Sequence, residues 1–383
     1  MLFSFFILSC NNKERKIEEG EIILENTSLI YLKPDTSKYI YLSDITKKIK
    51  IIPLETTNDS FLGKISKIEY DDDHYFILNN FDKLVYVFDL NGKFKTRIGN
   101  VGNGPGEIQY PECFALDRDL KEVWVTNNFR SIFKFNYSGK YKESRPINVF
   151  FSDFCIADAY TYMHTSKRAN YDSHNDQIAY NLWVENVQNE ITTYFPFDPV
   201  LYPNGGIYYE TKTPFCRVGE SIIYSYAFND TIYSIDKETL TPKYIIKFPN
   251  SISEKISTLA GEDVMDYLKQ NPQNACYLQN VVETTSFLRF NYVLNMELYD
   301  VFYDKKQEKQ IEGKLIDDIL GSNLTVLYAR DDKFVGYVNA FDIDIKEKAK
   351  DFLDGSSLYD LEHMNNEEHN PILFELEIES IEK

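Results

Sequence analysis

The sequence predicts an all-β protein, a six-bladed β-propeller with short helical insertions, closed by the N-terminal strand joining the last blade. Three observations support this fold class. A short apolar run that ends in an acidic or amide residue recurs along the chain. Its first two copies end in the hairpin signals Asp-Leu-Asn-Gly and Asn-Tyr-Ser-Gly, in which Gly can adopt positive φ. The chain also has 29 Tyr and 27 Phe among 383 residues. This content indicates a strand-rich core, with an aromatic sugar-binding surface as the alternative.

The repeat is anchored by Asp89, Asn136, Asp236 and Asp304. These anchors are 47, 100 and 68 residues apart, and the spacing of 100 indicates two units with a degenerate copy between them. Repeats of about 40–50 residues are typical of propeller blades. The runs are apolar at consecutive positions, as in Val85–Phe88. A sheet covered on both faces requires that pattern, and stacked blades provide the cover.

The units are expected, in order, at 65–99, 111–149, 150–196, 215–248, 277–311 and 314–341. The third unit is degenerate and has a polar insertion at 167–177, so the alternative is seven blades, with two hidden in this region. Residues 251–270 have helical periodicity and end before Asn271-Pro272, a typical stop signal. Residues 345–353 are expected to form a second short helix.

One strand is missing from the last unit, and one strand is left over at the start. The extra strand is Lys47–Glu55, and the last unit ends with the strand Pro371–Ile378. We expect the N-terminal strand to complete the last blade, because this closure removes the sheet edges of an open array.

Composition excludes some functions. The formal net charge is −19, which argues against nucleic acid as a partner because phosphates require a basic face. No internal stretch is long and apolar enough to span a bilayer. Four cysteines, Cys113, Cys155, Cys216 and Cys276, are widely spaced without a Cys-x-x-Cys pair. They are expected to be mostly free, buried thiols, although an exported protein could pair them.

The N-terminus indicates export. Leu2–Leu8 is a short apolar run of the kind found in signal peptides, and Ile7-Leu8-Ser9-Cys10 resembles a bacterial lipobox. The resemblance implies a lipoprotein-type signal peptide at 1–9, a lipid on Cys10, and a flexible tether within 10–45. The propeller then occupies 46–383.

The chain also resembles a family of six-bladed β-propeller lipoproteins common in Bacteroidota, and NHL-repeat propellers more broadly. The resemblance lies in Ile52–Thr57 (IPLETT), Gly102–Glu107 (GNGPGE) and the closing Asn370–Leu373 (NPIL). It implies an exported, membrane-anchored lipoprotein of the outer membrane. Whether it faces the periplasm or the exterior is open, since Asn11–Arg15 lacks the acidic run associated with surface export.

The blade pattern places candidate ligand residues on one face. If strands A to D run outward from the axis, the B–C loops and D–A connections share a face near the channel mouth. The candidate ligand residues on this face are Asn79, Asn80, Asp82, Gly104, Glu107, Asn127, Asn128, Arg130, Asn229 and Asp230. Turn formation is the alternative role for the Asn residues. The glycine-rich loop is either an anion cradle or a tight connector between blades.

The function expected from this pattern is binding of a protein or glycan partner in the cell envelope by a monomer, without catalysis or a cofactor. The alternative is a calcium- or metal-dependent hydrolase or lyase with its ion in the channel. The five histidines do not occupy equivalent blade positions, which argues against a His₃ zinc site. Asp71–Asp73 resembles a calcium cluster, but it lies at a hairpin and lacks EF-hand spacing.

Overall fold

The computed structural model of the protein describes residues 16–25, 27–172, 174–203, 205, 211–364 and 368–381. Six of the seven sheets that its described strands form are arranged as the blades of a β-propeller, so the predicted fold class is confirmed. The predicted signal peptide at 1–9 and the predicted lipid site at Cys10 lie outside the described residues.

The N-terminal elements are β1 (Ile17–Glu19), β2 (Ser28–Tyr31), β3 (Tyr39–Tyr41), α1 (Leu42–Ile45) and β4 (Thr46–Pro53). Blade one contains β5 (Ile65–Asp71), β6 (His74–Asn79), β7 (Val85–Asp89) and β8 (Phe94–Ile98). Blade two contains β9 (Pro111–Asp117), β10 (Glu122–Asn127), β11 (Ser131–Asn136) and β12 (Tyr141–Pro146). Blade three contains β13 (Asp153–Ala157), β14 (Tyr160–His164), β17 (Tyr180–Glu185) and β18 (Ile191–Pro196), with a hairpin of β15 (Asn170–Tyr171) and β16 (Gln177–Ile178) inserted.

Blade four contains β19 (Phe215–Val218), β20 (Ser221–Tyr224), β21 (Thr231–Asp236) and β22 (Thr239–Lys247). It is followed by α2 (Ser253–Ser257), a 3₁₀ turn at Gly261–Asp263 and α3 (Val264–Gln270). Blade five contains β23 (Cys276–Glu283), β24 (Phe287–Leu294), β25 (Glu297–Asp304) and β26 (Lys309–Ile316). Blade six contains β27 (Thr325–Arg330), β28 (Lys333–Val338) and β29 (Ile372–Ile378) plus β4, and between β28 and β29 lie a 3₁₀ turn (Ala340–Asp342), α4 (Ala349–Phe352) and α5 (Gly355–Met364).

Two short helices replace the single helix expected at 251–270, and α5 was not predicted. No helix in the described part of the chain is long and apolar enough to cross a membrane.

Ring closure occurs as predicted. β4 pairs antiparallel with β29 from Pro53 opposite Ile372 to Thr46 opposite Ile378. Asn370, immediately before β29, is fully buried and donates hydrogen bonds to the carbonyl oxygens of Glu55 (2.9 Å) and Ser60 (2.8 Å). Two of the three motifs that carry the family resemblance, IPLETT and NPIL, therefore meet in space and fasten the two ends of the ring.

The segment expected to be a flexible tether is instead part of the sheet structure from residue 17 onward. β1 pairs in parallel with β18, β2 with β22 and β3 with β26. This N-terminal belt (residues 17–41) adds a fifth strand to blades three, four and five. The sequence contains the signal: Ile30, Leu32 and Ile40 are buried, while Tyr31 and Tyr39 between them are exposed. That alternation is typical of a half-buried strand.

The blade edges that the belt leaves uncovered carry charged residues, and so does the covered strand β26 (KQIEGKLI). The outer strands β8 and β12 are not covered by another strand in the described residues. They carry Lys95, Arg97, Lys142 and Glu143, and charge on an exposed edge discourages pairing with another chain. The covered strand β18 has the uncharged sequence ITTYFP.

The two faces of the propeller differ in their connections. On one face, every A–B and C–D connection has two to five residues. The other face carries the B–C loops and D–A connections, and within the blades all connections longer than five residues are there, including 197–214, 248–275 and 339–371. We call it the elaborated face.

Gly313 in β26 allows the belt to approach blade five. A Cβ atom at this position would lie 2.9 Å from the backbone oxygen of Lys38. We expect Gly313→Ala to lower the free energy of unfolding by about 1–3 kcal/mol, because overpacking exceeds the gain of about 0.4–1 kcal/mol from a less flexible unfolded chain. Urea unfolding measures this. Gly355→Ala is the control, because nothing lies within 4 Å of its added Cβ, and equal midpoints for both variants would contradict the prediction.

Candidate functional site

The innermost strands of the blades surround a narrow channel on the propeller axis. A cavity of about 30 Å³ lies in it. Its polar and charged lining comprises Ser66, Lys67, Glu69, Asp153, Lys212, Thr213, Arg217 and Tyr328, and its thiols are Cys155 and Cys216. Four blades and one D–A connection contribute these groups, so the site exists only in the closed ring.

Lys67 is the centre of the ionic network in the channel. Its Nζ donates to Asp153 Oδ1 (2.8 Å) and to the carbonyl oxygen of Phe114 (2.9 Å), and it lies 3.5 Å from Glu69 Oε1. Burial alone would lower the pKa of Lys67, but Asp153 and Glu69 together raise it above its ordinary value. The lysine is therefore a permanent cation that ties blades one, two and three together.

Arg118 closes the end of the channel opposite the elaborated face. It follows β9, and its Nη2 donates to Tyr328 Oη (3.1 Å) and to the carbonyl oxygen of Tyr70 (3.0 Å), with Glu69 Oε2 at 3.4 Å. Arg217 in β19 donates to the carbonyl oxygen of Ile156. Charged side chains therefore fill the channel at the end opposite the elaborated face.

The mouth on the elaborated face is basic. Lys212 lies in the connection before β19 and lines the axial cavity. Burial and then the nearby charges of Lys64 and Arg289 lower the pKa of Lys212. Since the whole chain carries a net charge of −19, this local excess of positive charge is the electrostatic feature that distinguishes the mouth.

A second cavity lies between blades three and four on the elaborated face. It is lined by His164, Ser166, Lys167, Asn181, Tyr202, Tyr226, Ala227 and Phe228. His164 Nδ1 lies 2.8 Å from Tyr224 Oη, and Lys167 Nζ donates to Tyr202 Oη at 2.8 Å. Burial lowers the pKa of His164 to about 3 and that of Lys167 to about 8. Ser166 and Lys167 both have φ above 50°, a strained arrangement of the kind found at binding sites.

The glycine-rich loop lies on the elaborated face as expected, between β8 and β9. Its amide groups face its own acidic residue: Gly104 N donates to Glu107 Oε2 at 2.7 Å. A Cβ atom at Gly102 would lie 2.1 Å from the same oxygen. In this structure the loop therefore forms a connector whose carboxylate occupies the position that a bound anion would take.

Three of the candidate Asn side chains accept hydrogen bonds from backbone N–H groups. Asn79 Oδ1 accepts from Gly63 N (3.1 Å), and Asn127 Oδ1 accepts from Tyr110 N (3.0 Å). Asn229 Oδ1 accepts from Thr231 N at 2.8 Å. Each of these Asn side chains therefore has a structural hydrogen bond.

The other candidates are also placed on the elaborated face. Asp82 accepts from Leu84 N and Tyr86 Oη, and Asp230 accepts from the hydroxyls of Ser251 and Ser253 at the start of the helical insertion. Asn80, Asn128 and Arg130 are exposed. Of the ten candidates, all described, none lines the axial cavity.

No three His, Cys, Asp or Glu side chains in the described ranges converge as metal ligands. Asp71 instead pairs with Lys121, and His74 lies at the hairpin on the opposite face, within hydrogen-bond distance of the carbonyl oxygen of Asp72. The four described cysteines are free and buried, as predicted. Burial raises the pKa of Cys113 and Cys216 to about 12, so their thiols stay protonated and unreactive.

Sequence reasoning missed the residues that line the channel. A signal exists in β5, where Lys67 and Glu69 stand two residues apart between apolar neighbours. Side chains two apart share a face of a strand, so charge at both positions of an innermost strand indicates a polar channel. The pairing with Asp153 joins blades 86 residues apart, and no local pattern predicts it.

The fold and the axial channel define a six-bladed β-propeller with a basic mouth. Residues 29–377 match the family described as a domain of unknown function, DUF4934, and the chain therefore belongs to that family.

Solved structures share the fold. A Bacteroides fragilis protein classed as exported aligns with a TM-score of 0.72 at 19% identity, covering 92% of this chain and 100% of that one. A Bacteroides vulgatus member of the DUF4221 family aligns with a TM-score of 0.50 at 9% identity, covering 88% and 98%. No curated protein matches the sequence.

The buried imidazole generates a pH prediction. The pKa of His164 is about 3 in the folded protein against an ordinary value of 6.5, so the unfolded chain binds more protons between these values and stability falls as pH falls below 6.5. His164→Asn removes the titration. We expect the difference in free energy of unfolding between wild type and His164→Asn to fall by about 1.4 kcal/mol for each pH unit below pH 6. Urea unfolding from pH 4.5 to 7.5 measures it.

His174→Asn is the matched control, because His174 is exposed. This variant should follow the wild-type pH dependence. Parallel curves for wild type and His164→Asn would contradict the prediction.

Proposed function

We propose that this protein is an exported binding module of the cell envelope, which recognises a protein or glycan partner through its elaborated face. The observation that carries this proposal is the concentration of all long connections on that face, together with exposed aromatic side chains. Binding residues are commonly carried by loops on a rigid scaffold. Membership of DUF4934 and the likeness to an exported Bacteroides propeller support this assignment.

Three phenylalanines form the most prominent apolar feature of the elaborated face. Phe81 is 91% exposed, Phe61 52% and Phe341 53%. Phe61 and Phe341 line a shallow pocket of about 400 Å³ together with Gly63, and Phe81 Cβ lies 3.6 Å from the Cβ position of Gly63. We call these residues the Phe patch. Exposed aromatic groups in one cluster mark interaction surfaces.

Anchoring follows from the lipobox-like start, which would place a lipid on Cys10. Six residues separate Cys10 from Ile17, the first residue of the belt on the edge of blade three. Six extended residues span at most about 20 Å. The lipid would therefore hold the rim of the propeller at blade three within about 20 Å of the membrane. The anchor would be the only membrane contact of a monomer in the outer membrane.

The alternative, a calcium- or metal-dependent hydrolase or lyase, requires oxygen ligands around an axial ion. In this channel the carboxylates of Glu69 and Asp153 contact Lys67 instead, so the ammonium group occupies the position of a cation. Elemental analysis of the purified protein separates the two functions, since stoichiometric calcium would favour the enzyme.

The Phe patch provides a direct test of partner binding. We expect Phe81→Ser and Phe341→Ser each to weaken capture of a partner from envelope extracts, or of a glycan on an array, by about tenfold. That loss corresponds to about 1.4 kcal/mol, more than most interface residues cost when they are truncated.

Leu120→Ser and Val187→Ser are matched controls. Both side chains are similarly exposed, at 61% and 62%, but they lie in turns of the opposite face and should leave capture unchanged. Equal effects of all four variants, or no specific partner in either assay, would contradict the proposed function.

A further inference from the structure

The axial channel has an imbalance of charge. Four cations line it or contact its lining, Lys67, Arg118, Lys212 and Arg217, against the two carboxylates of Glu69 and Asp153. Both carboxylates are already bound, by Lys67 and Arg118. Two positive charges are therefore left over in a protein whose net charge is −19.

Lys212 and Arg217 are the two cations without an acidic partner among the described residues. Arg217 donates a hydrogen bond to the neutral carbonyl oxygen of Ile156. The Nε of Arg217 is buried without an acceptor among the described residues. Arg118 Nη1 is in the same situation. A buried charged donor without a partner is costly, so these groups indicate a missing acceptor.

The other polar groups of the cavity do not supply the missing negative charge. Cys155 and Cys216 line it, but burial raises the pKa of both thiols, so they remain neutral. The hydroxyls of Ser66 and Thr213 already donate to the carbonyl oxygens of Leu78 and Val281. Tyr328 Oη accepts from Arg118, so its own O–H can donate a hydrogen bond to an anion.

We propose that the axial channel binds an oxyanion of the ligand, a carboxylate or a phosphate, that enters from the elaborated face beside Lys212 and is held between Lys212 and Arg217. This inference rests on the proposed function and names the chemistry of its ligand. A cavity of about 30 Å³ admits one functional group and excludes a sugar ring. The body of the ligand therefore stays at the mouth, on the same face as the Phe patch.

The test uses thermal unfolding of the full chain at low ionic strength, with acetate, inorganic phosphate or galacturonate as probes. An anion that binds only the folded state raises the unfolding temperature in a saturable way. We expect at least one probe to do so, and we expect Lys212→Gln and Arg217→Gln to abolish the saturable shift. The probe with the lowest half-saturation concentration identifies the source: phosphate for a phosphoryl group, galacturonate for an acidic sugar, acetate for a simple carboxylate.

Lys83→Gln is the matched control. Lys83 lies on the same face, and its substitution removes the same charge. Its Nζ donates to Asn80 Oδ1 and it does not line the axial cavity, so the anion shift should persist. A second readout needs no anion. Lys212→Gln should unfold at the same or a higher temperature than wild type, because it removes an uncompensated charge. Lys67→Met should unfold at a clearly lower temperature, because it leaves two buried carboxylates with one partner.

Three results would overturn the anion site: no saturable shift with any probe, an equal loss of the shift in Lys83→Gln, or destabilisation by Lys212→Gln as large as that by Lys67→Met. Partner capture that still depends on Phe81 would then leave the proposed binding function standing, so the two failures are distinguishable.

Discussion

The pairing of β4 with β29 joins the two ends of the chain in one blade, and the rest of the structure depends on it. Seven residues of β29, from Ile372 to Ile378, are in register with β4. Asn370 adds buried hydrogen bonds to the segment that leads from β4 into blade one. Without this pairing, β29 would be an open edge, and the ring of inner strands would have no fixed circumference.

Closure fixes the distances on the axis. Lys67 bridges blades one, two and three, and Arg118 links blades two, one and six. These contacts need inner strands held within a few tenths of an ångström, because buried charges are tolerated only with well-aligned partners. Arg217 Nε is buried without an acceptor among the described residues. The charge of the channel is thus a consequence of the ring, and it is separate from the acidic outer surface.

Much of the fold was predictable because it depends on local patterns. Hairpin residues such as Asp89 and Gly92 and the spare strand at Lys47–Glu55 predicted the blades and their closure. The belt was missed, since the alternation around Ile30 and Ile40 was masked by polar and charged neighbours. The channel network was missed for a different reason: Lys67 and Asp153 are joined only by the tertiary fold. The candidate residues lie on the elaborated face, but Asn79, Asn127 and Asn229 form structural hydrogen bonds, and none of the candidates lines the axial cavity.

Hydrogen exchange under native conditions tests the central claim, that the closing blade is part of one cooperative ring. Amides of β4 at the hydrogen-bonded positions opposite β29, those of Lys50 and Ile52, should exchange with the same free energy of opening as amides of the inner strand β9, because opening the closure unfolds the ring. Exchange of β4 at a much lower free energy than β9 would show that blade six opens by itself and would contradict the account.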